Sequence, residues 1–425
     1  MSRSTLVTAA FVAAVTAVTA VSSTADAQAA NPAAVATHDA HPAVASEAVA
    51  APSSSPAWSS AALPVGDTVL TGIAQPDAGT TWAAGFHITQ AGKASTHAPV
   101  LLTRRGGEPQ GWTETPTAPL PAGAQTRFNA VTAVPRGGGW LVGDDSAQAG
   151  GIVTERWDGT SWALTPAPVP DNTYANTSGL LSVSGRTADD AWAVGYVQLF
   201  DGTETTPDGP PYDVTHQAGL AEHWDGTTWT AVPLPDAGGD FILTGVTEIA
   251  ADDVWAVGTL ADDDQPLLLH FDGHAWRRIV TPPYAGVAGA LNAVAADGPD
   301  DVWAVGRVTR DAADSGHALI LHWDGQCWRQ VAAPEEAGRL SAIAVTAQGV
   351  VAVGHNTTAE YPGPGADGYA IRLSGGQWRS LGLPSGTLFD PSGVAVSPQR
   401  QITAVGVVAD PDQVEPQPMV LTSGS

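Results

Sequence analysis

The stretch Asp301-Val302-Trp303-Ala304-Val305-Gly306, followed by His322-Trp323-Asp324-Gly325-Gln326-Cys327-Trp328, decides how this chain reads. Its first half recurs as Asp253-Val254-Trp255-Ala256-Val257-Gly258 and as Asp190-Ala191-Trp192-Ala193-Val194-Gly195. An apolar residue precedes the Trp by twelve positions in five places: Leu70 to Trp82, Phe128 to Trp140, Leu180 to Trp192, Leu243 to Trp255 and Leu291 to Trp303. Two further copies lack the Trp but keep the ending, Ala352-Val353-Gly354 and Ala404-Val405-Gly406. That makes seven copies.

The second half recurs as well. Trp157-Asp158-Gly159 leads to Trp162, Trp224-Asp225-Gly226 to Trp229, and Phe271-Asp272-Gly273 to Trp276. Asp-Gly between two apolar runs is a hairpin signal, because Gly accepts the positive φ of a tight turn. Each unit therefore reads as four short strands. The Trp-Ala-Val-Gly landmarks lie 48 to 63 residues apart. Four-stranded units at such a period are the blades of a β-propeller. The seventh copy ends after Pro418-Met419-Val420-Leu421 without a fourth strand, whereas Trp58-Ser59-Ser60-Ala61-Ala62-Leu63-Pro64 is a fourth strand without a blade. Pairing the two closes the ring and leaves no free edge there. The expectation is an all-β, seven-bladed propeller over 56–425, its last blade completed by an N-terminal strand.

With these units in hand, the chain resembles secreted actinobacterial propeller proteins with DVWAVG and HWDGxxW repeats. It is distantly similar to kelch and Asp-box (sialidase-type) repeats. The resemblance implies the fold more strongly than any activity, since propellers host hydrolases, lyases, lectins and scaffolds. The Asp-Gly hairpin departs from the usual Asp-box, where one residue separates Asp from Gly.

Composition narrows the function. Seventeen Lys+Arg stand against 43 Asp+Glu, a formal charge of −26. Such a balance repels phosphate backbones, so no nucleic-acid partner is expected. Arg3, the uncharged run Leu6 to Val21 and Ala25-Asp26-Ala27 read as a signal peptide over 1–27, implying a secreted, extracellular protein. No membrane insertion is expected after its removal. Residues 28–55, rich in Ala, Pro and Ser, read as a disordered linker. The single cysteine, Cys327, excludes an intrachain disulfide.

All fifteen Trp occupy repeat positions, which assigns them to packing between blades rather than to ligand stacking. Arg156, His223, His270 and His322 occur once per blade and cannot converge on a metal. The pairs Asp189-Asp190, Asp252-Asp253 and Asp300-Asp301 read as turn residues bonding their own backbone. The loops joining second to third strands and one blade to the next share one face, and five of the six tyrosines map there: Tyr174 and Tyr284 between blades, Tyr196, Tyr212 and Tyr361 within them. Tyr369 begins a third strand at the same rim. The residue after each second-strand glycine differs by blade: Phe86, Asp144, Tyr196, Thr259, Arg307, His355 and Val407. This face is the candidate binding surface, with Asp144, Tyr174, Tyr196, Tyr284, Arg307, His355 and Tyr361 as candidate residues. Asp262, Asp263 and Asp264 could contribute to a calcium site, calcium taking several carboxylate oxygens from loops. The leading expectation is a monomeric, non-catalytic module binding an extracellular glycan, peptide or protein. The alternative is a propeller glycosidase or lyase. A sialidase-like site would need three converging arginines and a Tyr nucleophile, and the clearest rim arginines, Arg307 and Arg310, share one blade.

Overall fold

In the computed structural model the described residues are 57–91, 94–106, 111–134, 137–147, 151–206, 209–261, 264–311, 316–334, 338–347, 349–356, 367–384, 388–408 and 416–424. The export signal read over 1–27 and the linker over 28–55 lie outside them. Strand β1 (Trp58–Ser60) precedes the first blade, which is β2 (Thr68–Asp77), β3 (Thr80–Ala91), β4 (Ala94–Arg105) and β5 (Trp112–Glu114). Blade 2 is β6 (Thr126–Val134), β7 (Gly138–Asp145), β8 (Ile152–Trp157) and β9 (Trp162–Leu164). Blade 3 is β10 (Thr173–Thr187), β11 (Asp190–Glu204), β12 (Tyr212–Trp224) and β13 (Trp229–Ala231). Blade 4 is β14 (Phe241–Ala250), β15 (Asp253–Leu260), β16 (Gln265–Phe271) and β17 (Trp276–Ile279). Blade 5 is β18 (Ala288–Gly298), β19 (Asp301–Thr309), β20 (His317–Trp323) and β21 (Trp328–Gln330). Blade 6 is β22 (Arg339–Thr346), β23 (Gly349–Asn356), β24 (Asp367–Ser374) and β25 (Gln377–Ser380). Blade 7 is β26 (Phe389–Val396), β27 (Ile402–Val408) and β28 (Gln417–Ser423), completed by β1. All pairings are antiparallel, and the chain is a seven-bladed propeller.

The repeated glycine has a steric cause. Every first strand carries a bulge at the same place, between Leu70 and Gly72, Phe128 and Ala130, Leu180 and Ser182, Leu243 and Gly245, Leu291 and Ala293, Leu340 and Ala342, and Pro391 and Gly393. The bulge brings a first-strand carbonyl to where a Cβ on the paired second-strand residue would sit, as Ile242 O does at Gly258 and Ala290 O at Gly306. Only Gly fits. The extra residue is a Thr, Asn or Ser in every blade but the third, where it is Leu181, and five of them donate to the next blade. Thr71 Oγ1 bonds Phe128 O (2.7 Å), Asn129 Nδ2 bonds Leu180 O (3.0 Å), and Thr244 Oγ1 bonds Leu291 O (2.7 Å). Asn292 Nδ2 bonds Leu340 O (2.6 Å), and Ser392 Oγ bonds Leu70 O (2.6 Å), which joins the last blade to the first.

Outside this girdle the seams are mostly apolar. The second-strand Trp of one blade meets the outer-strand Trp of the next edge-on: Trp82 with Trp162 (5.2 Å), Trp192 with Trp276 (5.2 Å), Trp255 with Trp328 (5.1 Å) and Trp303 with Trp378 (5.6 Å). Offset and edge-on contacts suit the ring quadrupoles and add to area burial. Blades 6 and 7 carry Val351 and Thr403 at that position. Trp58 packs with Val351's cluster, and the Arg104 guanidinium covers Trp112 at 5.3 Å.

The Asp-Gly turns are four-residue hairpins closed by an aromatic pair, such as Trp224 and Trp229. In each, the Asp carboxylate accepts from the amides two and three residues on, as Asp225 Oδ1 does from Thr227 N and Thr228 N (both 2.9 Å), and Gly226 follows the Asp at φ 95°. The Asp-Asp pairs depart from the expected self-bonded turn. Their second member accepts instead from the third-strand imidazole: Asp190 from His223 (2.9 Å), Asp253 from His270 (2.8 Å), Asp301 from His322 (2.8 Å). Each imidazole lies over the second-strand Trp, at 4.6, 4.3 and 4.0 Å respectively.

β1 pairs with β28 through Trp58–Ser423, Ser59–Thr422 and Ser60–Leu421, and Ala61 N donates to Val420 O (3.1 Å). Removing residues 57–64 strips this edge and the Trp58 packing. The unfolding midpoint in urea should then fall, with a loss of several kcal/mol for one Trp and neighbouring aliphatic groups. A truncated protein with an unchanged midpoint would show that β1 does not hold the ring.

Candidate functional site

The register places two residues of every blade at the rim of one face: Val69 and Phe86, Arg127 and Asp144, Gly179 and Tyr196, Ile242 and Thr259, Ala290 and Arg307, Arg339 and His355, Asp390 and Val407. Two blades rise above this rim. β3 runs on from Gly85 to Ala91 and β11 from Gly195 to Glu204, whereas β7 between them stops at Asp145. At ~3.3 Å per residue these extensions add roughly 20 and 30 Å of strand. Tyr196 and Tyr212, read from sequence as loop residues, lie in the second extension, and Tyr174 lies on β10.

Between the tall hairpins stands a cluster centred on blade 2. Asp144 is 5% exposed, and Arg127 donates to its Oδ1 through Nε (2.8 Å) and Nη2 (2.6 Å). Asn129, the bulge residue, donates to Oδ2 (2.9 Å) with the same amide that bonds Leu180 O. Phe86 of blade 1 lies 5.9 Å from the Arg127 guanidinium and 5.6 Å from the His97 ring. From blade 3, Tyr196 folds over Gly179. A side chain at 179 would meet Asp144 Cβ at 3.1 Å and the Tyr196 hydroxyl at 3.6 Å. The glycine is what lets the phenol reach across.

Electrostatics set the protonation of this group. Burial and the Arg127 charge lower the His97 pKa, so its imidazole is neutral, with one donor and one acceptor. Burial, then the Asp144 charge, raises the Tyr196 pKa and keeps the phenol protonated. Arg127 Nη1 and the Tyr196 hydroxyl have no hydrogen-bond partner among the described residues. The cluster thus offers a guanidinium edge, a phenol and an imidazole to a ligand's oxygens.

The other candidates are placed apart from it. Tyr174 stacks on Phe200 (6.3 Å) and donates to Asp213 (3.2 Å). Tyr284 donates to Gln265 Oε1. Arg307 pairs with Asp264 across a seam (3.1 Å), and the buried His355 stands 2.9 Å from Asp390 Oδ1. Tyr361, Asp262 and Asp263 lie outside the described residues, and among those described no group of three His, Cys, Asp or Glu could hold a metal ion. Sequence reasoning missed Arg127, Asn129 and His97. The first two flank the landmark Phe128, where they read as spacer residues, and His97 sits on the extension of β4.

Solved structures resemble the fold, among them three propellers. YCF48 bound to D1 peptide is similar over 87% of this chain and 97% of its own, at 15% identity and TM-score 0.51. YCF48 from Cyanidioschyzon merolae matches over 86% and 98%, at 14% identity and TM-score 0.52. The WD40 β-propeller domain of Doa1 matches over 87% and 98%, at 11% identity and TM-score 0.52. No family model and no curated protein matches the chain. The likeness is one of fold.

Both seams of blade 2 also hold buried acids. At a third-strand position occupied elsewhere by Leu102, Leu269, Leu321, Ile371 and Leu421, blades 2 and 3 carry Glu155 and Glu222, each 0% exposed. Glu155 Oε2 accepts from Ala118 N (2.9 Å). Pro168 follows Trp162 at the spacing at which Ala118 follows Trp112, and proline has no N–H to give. Neither oxygen of Glu222 has a hydrogen-bond partner among the described residues. Burial pushes its pKa from 4.5 to about 8 and that of Glu155 to about 7. Glu248, buried and beside the Asp190 carboxylate, is likewise raised to about 8.

The native state therefore binds more protons than the unfolded chain between about pH 4.5 and 8. Stability contributed by neutral Glu222 is complete below the lower value and is lost as pH rises through the upper one. Glu222→Leu, which restores the side chain of the other blades, should raise Tm clearly at pH 8.5 and much less at pH 5. Equal shifts at the two pH values would show that Glu222 is not protonated in the fold.

Proposed function

We propose that this protein is an extracellular, non-catalytic binding module that holds a peptide, protein or glycan segment on the rim of blade 2, between the tall hairpins of blades 1 and 3. The observation that carries the reading is the convergence of Arg127, His97 and Tyr196, from three consecutive blades, with hydrogen-bonding capacity the fold does not use. Its chemistry suits recognition. Asp144, the carboxylate in the cluster, is tied to Arg127 and Asn129, so it anchors the cation and does not take protons from a substrate. A ligand carboxylate, carbonyl or sugar hydroxyl would meet donors already fixed in place, which reduces the ordering cost of binding. The propeller fold is shared with YCF48, which in one structure is bound to a peptide.

A glycan and peptide array probed with the purified protein supplies the ligand, and calorimetry on the best hit supplies the test. Tyr196→Phe and His97→Ala should each weaken binding about five- to tenfold while leaving Tm nearly unchanged. Arg127→Ala should lower affinity and Tm together, because it strands Asp144 in a buried site without its cation. Unaltered affinity in all three variants would remove the rim of blade 2 from the function.

A further inference from the structure

The two tall hairpins differ at the outer edge of their third strands. The fourth strand of each blade covers only the foot of the third. β13 pairs with Glu222, His223 and Trp224, and Val232 N reaches Ala221 O (2.9 Å). The carbonyl of Ala221 therefore faces outward, and by strand alternation so do the backbone groups of Gly219, Gln217, Thr215 and Asp213. None of these four has an outer backbone partner among the described residues.

Three other blades blunt the corresponding edge with proline. In blade 1, Thr115 N bonds Leu101 O, which puts Pro99 and His97 on the outer side of β4. Pro99 has no N–H, and the His97 amide is already taken by Gln125 Oε1 (2.8 Å). Blade 4 has Pro266 at the position of Pro99, and blade 7 has Pro418. Proline at an outward position is a standard protection against strand addition. Blade 3 has the longest exposed third strand and Gly219 in that place.

Charge selects the occupant. No Lys or Arg occurs between Arg186 and Arg277, while the extension of blade 3 carries Asp201, Glu204 and Asp213 beside the exposed rings of Phe200 (39%) and Tyr212 (47%). We propose that the outer edge of β12, Asp213–Gly219, is a docking strand on which a cationic peptide segment in extended conformation adds to the blade by main-chain hydrogen bonds. The ladder supplies the affinity, and the acids select Lys and Arg side chains. The site is distinct from the rim cluster and does not depend on it.

Fluorescence polarisation of a short peptide of alternating Lys and Val, against its Glu–Val counterpart, tests this with the full chain. The Lys peptide should bind and the Glu peptide should not. Joint substitution of Asp201, Glu204 and Asp213 by the corresponding amides should weaken binding about tenfold, and Thr215→Pro, which removes one outward N–H, by a similar factor. Methylating alternate backbone nitrogens of the peptide leaves the protein untouched. One alternate set should abolish binding and the other should leave it intact, the signature of a ladder. Tyr196→Phe should not change affinity for this peptide, which separates the edge from the rim. No binding of the Lys peptide, or equal loss from both methylated sets, would overturn the proposal.

Discussion

Each inner strand contains one residue too many, and in five of the seven blades a hydrogen bond from that residue ties the blade to the next. In those five the bulge turns a Thr, Asn or Ser toward the neighbouring blade, where it reaches the carbonyl of the landmark residue, as Thr244 reaches Leu291 O. It also pushes a carbonyl against the second strand, so the Trp-Ala-Val strand must end in glycine. One local irregularity thus explains the most regular letter of the repeat. Because Ser392 bonds Leu70 O, the same device that links neighbours also joins the ends of the chain of blades. A blade buries neither face by itself, and the girdle sets the angle at which its neighbours supply the missing cover.

Work is divided between the two faces. On the Asp-Gly face, turn carboxylates cap backbone amides, and Asp–His pairs brace the seam tryptophans in blades 3, 4 and 5. Those polar groups are consumed by the fold. On the opposite rim each blade presents a different pair. In blade 2 the pair is a buried ion pair, whose desolvation is offset only because Arg127 and Asn129 saturate the Asp144 carboxylate. Asn129 links the two levels, since its amide belongs both to the girdle and to the cluster.

The blade count and the closing strand were legible in the sequence, because a period and an orphan Trp58 survive variation in loop length. The seam role of the tryptophans was legible for the same reason. Hairpin height was not: residues 196–204 carry Gly and acids in the proportions of a loop, and only pairing with 212–219 makes them strand. The Asp–His braces were hidden too, since partners such as Asp190 and His223 are brought together by register and not by any motif. Arg127 escaped because it precedes the landmark Phe128, and the landmark drew the reading. Glu155 and Glu222 could have been found by aligning third strands within the chain, where they stand in a column of Leu and Ile.

That column bears on where function lies. A repeat selected for stability alone would keep Leu in the seams, a side chain at position 179, and Pro on every tall edge. Blades 4 and 5 come close to this ideal, with Leu269, Leu321 and Pro266. The departures concentrate in blades 1 to 3: Glu155 and Glu222 in the seams, Gly179 under Tyr196, the buried Arg127–Asp144 pair, two extended hairpins, and an open edge on one of them. Each departure costs stability or solubility, and none is needed to close the ring. Tyr284, Arg307 and His355 lie where the repeat is otherwise regular, and their polar groups contact residues of their own seams. The physical cost of these three irregular blades is the reason to place recognition there.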